Sequence, residues 1–223
     1  TKVGAGVAGF DFTKFGNDGS TLTIQDGTWA VGGSEAAGTR WSCVRDNVTG
    51  LVWEMKTEAN AGIHATNAKV KWADRNVLAD ATNTEALCGI QTWRVPTVVE
   101  LATIVNANRI NPALDTNRFP NGAGSHWASV PVAGDAANGW VVNFFAGIPI
   151  LKAKSGPMAQ RLVSGEYQAN DTSDDRYTVI DGTVTDGVTG LMWKQCPEGL
   201  EGSVCSVGAA GLLIWGGSMK RAR

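Results

Sequence analysis

The 223 residues include 43% apolar side chains, enough to bury a sizeable core, and the length fits one full domain with a substantial appendage. Lys and Arg number 19 against 21 Asp and Glu, a formal net charge of -2, so no global field attracts polyanions and nucleic acid is not an expected partner. No apolar run approaches the roughly 18 residues that a membrane-spanning helix needs.

Nine Trp against two Tyr and six Phe, with 28 Gly, suit a loop-rich domain in which large rigid side chains anchor many turns. Residues 1–40 form a Gly-rich leader with short strand candidates at Thr21 to Ile24 and Thr28 to Val31. Next comes Asp46-Asn47-Val48-Thr49-Gly50, a tight turn in which the Asp46 carboxylate accepts from nearby backbone N–H groups and Gly50 supplies positive φ. Leu51 and Trp53 then fall on one face of the strand that follows. This gives Asp46 and Trp53 structural roles.

Between Trp72 and Asn83, Ala73, Val77 and Ala81 recur at helical spacing with Leu78 beside them. Trp93-Arg94-Val95-Pro96 leads into a second helix, with Pro96 restraining Val95 to an extended conformation. That helix has the clearer start. Thr97 and Glu100 form a T-x-x-E capping box, and Val98, Leu101, Ile104 and Val105 supply a buried stripe, so Glu100 reads as a cap rather than a general base.

Trp140, Val142 and Phe144 alternate with Val141, Asn143 and Phe145 in the best central strand, closed by Ala146-Gly147, and Arg161 to Val163 is a further short strand. Trp127 and Trp140 lie within patterned strands and read as core residues. Gly165 to Asp175 is polar and connector-like. Tyr177 to Ile180 has strand propensity and ends at the turn pair Asp181-Gly182. The turn unit then recurs: Asp186-Gly187-Val188-Thr189-Gly190-Leu191-Met192-Trp193-Lys194 repeats Asp46 to Glu54, and Trp215-Gly216 follows at nearly the offset of Trp72-Ala73. The expected organisation is therefore a leader over 1–40, a main domain over 41–165, a connector over 166–176 and an incomplete second repeat over 177–223.

Cys43, Cys88, Cys196 and Cys205 are even in number, form no CxxC pair and have only His64 and His126 as histidine company, which argues for disulfides over zinc. Of three possible connectivities, spacing and the repeat favour Cys43–Cys88 and Cys196–Cys205. The second closes a short loop and the first ties two halves of one domain. Disulfides imply export to the periplasm, the cell surface or the medium. No GxSxG, HExxH, phosphate loop or dinucleotide motif occurs, neither histidine belongs to a recognisable triad, and His126 is expected to satisfy a loop backbone. Asp135 has only Asn138 nearby as an oxygen ligand and no EF-hand spacing appears, so no catalytic residue, metal or cofactor is expected.

TGLVWE at 49–54, LCG at 87–89, TWRVPTVVEL at 92–101, HWAS at 126–129, GWVVNFFAG at 139–147 and QRLV at 160–163 occur in the order found in the DUF1566 family. That family includes the C-terminal domain of the Legionella collagen-like adhesin. The resemblance covers about residues 41–165. FDFTKFG at 10–16 looks like the leader of longer members, and residues 181–196 resemble the opening of a second unit.

The resemblance implies an α+β, C-type-lectin-like fold: a small twisted antiparallel sheet with two helices and long loops. It also implies a noncatalytic role in attachment to glycosaminoglycans or other surface ligands. Arg161 matches the first of two arginines that close the family pattern, whereas Ser164 stands where the second is expected. Ile148 to Lys154 replaces the family's Tyr-rich stretch.

A ligand surface of this kind needs side chains on loops whose ends are fixed by core strands. The loops Pro131 to Gly139 and Ala146 to Gln160 fit, flanked by Trp127, Trp140 and Phe144. Asp135 and Asn138 can bind sugar hydroxyls, while Lys152 and Lys154 can meet a sulfate or carboxylate. The expected function is a glycan- or protein-binding adhesion module. The second reading is a structural envelope or appendage subunit that self-assembles through its C-terminal segment, where Leu212 to Trp215 are apolar.

Overall fold

The computed structural model describes residues 9–167, 177–187 and 190–211. The chain separates into two units, Thr1–Tyr167 and Gln168–Arg223. The apolar residues 212–215 and most of the connector lie outside the described residues.

The first unit is α+β and is built on two sheets. Strands β1 (Phe12–Phe15), β2 (Cys43–Asp46) and β3 (Val52–Glu54) form an antiparallel sheet completed by β9 (Val163–Ser164), in the order β1-β2-β3-β9. The second sheet contains β4 (Lys69–Val70), β5 (Ser125–Val132), β6 (Asp135–Asn143), β7 (Ile148–Ala153) and β8 (Met158–Ala159), in the order β4-β8-β5-β6-β7. It is antiparallel except where β5 meets β8, with His126 opposite Ala159. The single antiparallel sheet expected from the sequence is thus two sheets, one of them mixed. β4, β8 and β9 have two residues each, too few to leave a period-2 pattern in the sequence.

The leader contributes β1, whereas Thr21 to Ile24 and Thr28 to Val31 are not strands. Thr21 makes one isolated bridge to Phe15. Their β propensity is outweighed by the turns at Gly19, Gly27 and Gly32–Gly33 that flank them.

Helix α1 covers Val77–Glu85, later than the 72–83 expected from apolar spacing. Trp72–Asp74 is instead a separate 3-10 turn. Helix α2, Val98–Thr103, starts at a closed capping box: the Glu100 N–H donates to Thr97 Oγ1 at 3.1 Å, and the Thr97 N–H donates to Glu100 Oε2 at 2.7 Å. Arg94 adds two bonds to the same carboxylate and a third to the Gly165 carbonyl, tying the helix start to the end of β9. The Arg94 guanidinium and the Thr97 N–H together hold the Glu100 carboxyl below the usual carboxylate range despite its burial.

α2 packs on β5 and β6, and the main core lies between the two sheets. Trp41, Leu51, Trp53, Leu101, Leu114, Phe119, Val142 and Phe144 are buried there, with Trp140 packed at its margin. A second cluster encloses Trp93, Leu87, Leu162 and the Cys43–Cys88 disulfide. That cross-link joins β2 to the 3-10 turn Leu87–Gly89 across a Cα separation of 6.5 Å and closes a loop of 45 residues in sequence. Replacing both cysteines by Ala should lower unfolding free energy in urea by about 3 kcal/mol. A loss within about 0.5 kcal/mol would mean that packing alone holds these elements.

In the second unit, β10 (Tyr177–Ile180), β11 (Thr183–Asp186) and β12 (Met192–Lys194) form an antiparallel meander, and β13 (Leu200–Glu201) pairs with β14 (Val207–Gly208). Cys196–Cys205 is its disulfide. The turn before β12 repeats the backbone bonds of the turn before β3. Asp46 N–H donates to the Leu51 carbonyl and Gly50 N–H to the Asp46 carbonyl, both at 2.8 Å; Asp186 and Gly190 make the same bonds at 2.9 and 2.8 Å. The Asp46 carboxylate also accepts from the Val48 N–H and the Thr49 hydroxyl.

Candidate functional site

The segments expected to be loops at Pro131 to Gly139 and Ala146 to Gln160 are largely strand. Val132 pairs with Asp135 around a two-residue turn at Ala133-Gly134, with Gly134 at φ 73°. β7 then pairs with β6 along the whole of β7, from Asn143–Ile148 to Asn138–Ala153. The β-branched and apolar run Ile148-Pro149-Ile150-Leu151 favours the pleated edge strand that β7 forms. The four candidate residues therefore sit on a rigid ribbon.

Asp135 and Asn138 are brought together. Asp135 Oδ1 accepts from the N–H groups of Ala137 and Asn138, and Oδ2 accepts from Asn138 Nδ2 at 2.7 Å. The Asn138 amide holds the Asp135 carboxyl below its usual range, with the two N–H groups and the nearby Lys154 charge adding to this. Asp135 is thereby committed to fixing the ribbon, while the Asn138 side-chain carbonyl is left to meet a ligand. Lys154 joins the same end: its Nζ donates to the Ala136 carbonyl at 3.0 Å. Lys152 is exposed and lies opposite Gly139 in the β6–β7 ladder.

Beneath this end of the ribbon lies Trp72, a residue that sequence reasoning assigned to a helix. A Cβ placed on Gly139 would come within 2.6 Å of the Trp72 ring, so glycine is what lets the indole lie against the strand. Trp72 meets Trp127 edge to face at 5.3 Å, and Trp127 donates its Nε1–H to the Val70 carbonyl. Two cations flank the Trp72 ring, Arg75 at 4.8 Å and Lys154 at 5.4 Å from its centroid. The Trp72 N–H donates to the Lys154 carbonyl, locking the 3-10 turn to the end of β7. Exposed Lys69 and Lys71 immediately precede this turn. Two cations, Arg75 and Lys154, thus flank a buried tryptophan, with exposed Lys152 opposite Gly139 on the neighbouring strand, and of the two that meet the ring only Lys154 was singled out from sequence. Arg75 joins Lys154 through a contact between distant chain segments.

A second group of charges is internal. Glu54 is fully buried; its Oε1 accepts from Lys56 Nζ at 2.7 Å and contacts His64 Nδ1 at 2.6 Å, and its Oε2 accepts from the Leu162 N–H. These cations bring its carboxyl down to about 2 against the opposing effect of burial. His64 Nε2 reaches Glu85 at 3.0 Å, so both ring nitrogens are occupied and neither is free to act as a base. Arg161 is fully buried, donates to the Glu54 carbonyl and lies over the Phe119 ring.

His126, expected to serve a loop, lies instead on β5 in the interior. Neither ring nitrogen makes a well-formed hydrogen bond, although the Gln160 backbone is close enough to favour the protonated ring slightly. Burial, with Arg161 and Lys56 nearby, pushes its pKa down to about 3. Among the described residues, no group of three or more His, Cys, Asp or Glu is assembled to hold a metal ion, and no helix is long and apolar enough to cross a membrane.

Two sheets packed on a common core, one of them cross-linked to the Leu87–Gly89 turn, with a tryptophan flanked by two cations, make a ligand-display scaffold. The model of the Lcl C-terminal domain matches residues 42–164, and the chain belongs to that family. The family is one of noncatalytic adhesin domains, and this chain is a noncatalytic adhesion or ligand-recognition module on that ground. A comparison with curated proteins gives no match.

Proposed function

We propose that the chain is an extracytoplasmic adhesion module that holds an acidic glycan on the edge formed by β7, the β5–β6 turn and the Trp72 turn. The observation that carries this reading is the meeting of Arg75 and Lys154 on Trp72, beside exposed Lys152, in a chain whose net charge is slightly negative. A local patch of this kind meets sulfate or carboxylate groups by charge-assisted hydrogen bonds, with Asn138 offering its amide to a hydroxyl. The two disulfides support export to the periplasm, the surface or the medium. The two helices with small twisted sheets agree with a C-type-lectin-like arrangement, and the matching Asp46 and Asp186 turns support reading 177–223 as the start of a second unit after a connector.

Heparin binding is the test. The Lys152→Ala, Lys154→Ala double variant should weaken binding about 10-fold and flatten its salt dependence, while staying folded with a thermal midpoint only a few degrees lower. Unaltered affinity in the folded variant would remove the site from this edge.

A second reading, an envelope subunit that assembles with further copies, is favoured by one observation. Val179 and Trp193, in register across β11 on one face of the second unit's meander, are 54% and 48% exposed, an apolar surface suited to a protein neighbour. Light scattering coupled to size exclusion distinguishes the readings: a monomer at about 100 μM rejects self-assembly through this surface.

A further inference from the structure

A cavity of about 320 Å³ opens where the Gly-rich leader folds back over β2 and β3, well separated in sequence from the charged edge. Trp29, Glu35 and Arg40 of the leader form one side, and Trp41, Met55 and His64 form the other. Most of its wall precedes residue 42 and so falls outside the stretch matched by the family model, making it a feature of this chain's own leader. A cavity this size with aromatic walls and a few fixed polar groups has the ordinary makeup of a small-ligand site.

Its chemistry narrows the ligand. Trp29 and Trp41 stand edge to face, centroids 5.0 Å apart, beside Met55, giving an apolar corner for a ring edge rich in C–H groups. Each indole already carries an internal cation: Arg40 lies 4.5 Å from the Trp29 centroid, and Lys14 Nζ lies 3.7 Å from that of Trp41. An organic cation would have to displace them.

Anions are opposed by Glu35. Its Oε1 is fixed by the Asn17 N–H and the Ser42 hydroxyl at 2.7 and 3.2 Å, while its Oε2 has no hydrogen bond among the described residues. The Arg40 charge that might offset Glu35 is already paired with Glu58, whose Oε1 also accepts from Trp29 Nε1, each at 2.9 Å. What remains is a preformed corner with an available carboxylate acceptor, guanidinium N–H donors on Arg40 and an apolar wall. That combination suits hydroxyl groups on a neutral, partly apolar ring.

We propose that this cavity binds a neutral sugar residue, one ring in size, against Trp29, which buried Trp41 backs, with Glu35 accepting from its hydroxyl groups. The assignment stands apart from the acidic-glycan reading and gives the module a second site of opposite preference.

The test is a titration of the whole chain with the methyl glycosides of glucose, galactose, mannose and N-acetylglucosamine, followed by tryptophan fluorescence and by calorimetry. At least one should saturate with a dissociation constant of roughly 1–10 mM. Trp29→Ala and Glu35→Gln should each weaken it about 5-fold or more, while the Lys152→Ala, Lys154→Ala variant should bind as the parent does. Should Trp29→Ala fail to fold, Glu35→Gln decides alone. No saturation with any of the four by ~100 mM, or binding that survives Glu35→Gln, or binding lost in the double lysine variant, overturns the proposal. Heparin binding, read in parallel on the same variants, reports separately on the charged edge.

Discussion

Glu54→Ala is expected to cost more than about 5 kcal/mol and to leave little folded protein at room temperature. The carboxylate neutralises Lys56, whose ammonium is about 1% exposed, and contacts His64 while accepting from the Leu162 N–H. Truncation therefore strands a buried ammonium and an amide N–H in one place. The Arg161 guanidinium sits close enough to add like-charge repulsion on Lys56. Breaking a buried ion pair from one side costs far more than the pair contributes, because the remaining charge stays desolvated. Glu54→Gln should be milder, about 3 kcal/mol, since the amide still offers an acceptor. Replacing the pair together, as Glu54→Met with Lys56→Met, should recover most of the loss. Urea unfolding of the single variants and the pair forms a double-mutant cycle. Additive losses would show that Glu54 and Lys56 do not depend on each other, against this account.

Local features of the chain were legible in the sequence because their physics is local. The T-x-x-E box at Thr97 and Glu100, the Asp46 turn and the Trp140–Phe144 alternation each act within a few residues, and the structure has a feature at each position. The spacing argument also favoured the connectivity Cys43–Cys88 and Cys196–Cys205 that the structure contains. What was hidden is nonlocal. Trp72 continues an apolar helical pattern, yet Lys71 ahead of it is extended, and the Trp72 N–H is claimed by the carbonyl of Lys154. Nothing local in the sequence marks Lys14 and Lys56 as buried; Lys14 lies over the Trp41 indole of another segment, and Lys56 is paired with a Glu54 that is itself enclosed by distant residues. The candidate loops became a ribbon for a related reason. A turn at Gly134 and a β-branched run at Ile148 to Leu151 are ambiguous singly and decisive once they pair.

Stability should fall as pH drops below about 6.5, by roughly 2 kcal/mol at pH 5 and about 4 at pH 3, with His126 as the main cause. The folded state holds this imidazole neutral down to a pKa of about 3 because it is buried near Arg161 and Lys56, two cations against the single carboxylate of Glu54. Phe144, packed against the ring, offers no compensating acceptor. In the unfolded chain the same group protonates near 6.5, so acid pulls the equilibrium toward unfolding throughout the window between the two values.

The neighbours titrate differently. His64 has a raised pKa from its two glutamates, so its contribution is fully present below 6.5 and is lost only as pH rises through the raised value. Glu54, lowered to about 2, contributes above 4.5 and loses that contribution as pH falls toward 2, which steepens the curve only at its acid end. Burial lowers the Arg161 pKa only to about 10, so that group keeps its proton across this window, while burial also lowers the pKa of Lys56. Between pH 6.5 and 4.5 the main contribution to the slope is that of His126. Urea unfolding of the parent and of His126→Leu across this range checks it: the variant should lose most of the slope. An equal slope in both would assign the acid sensitivity to another group.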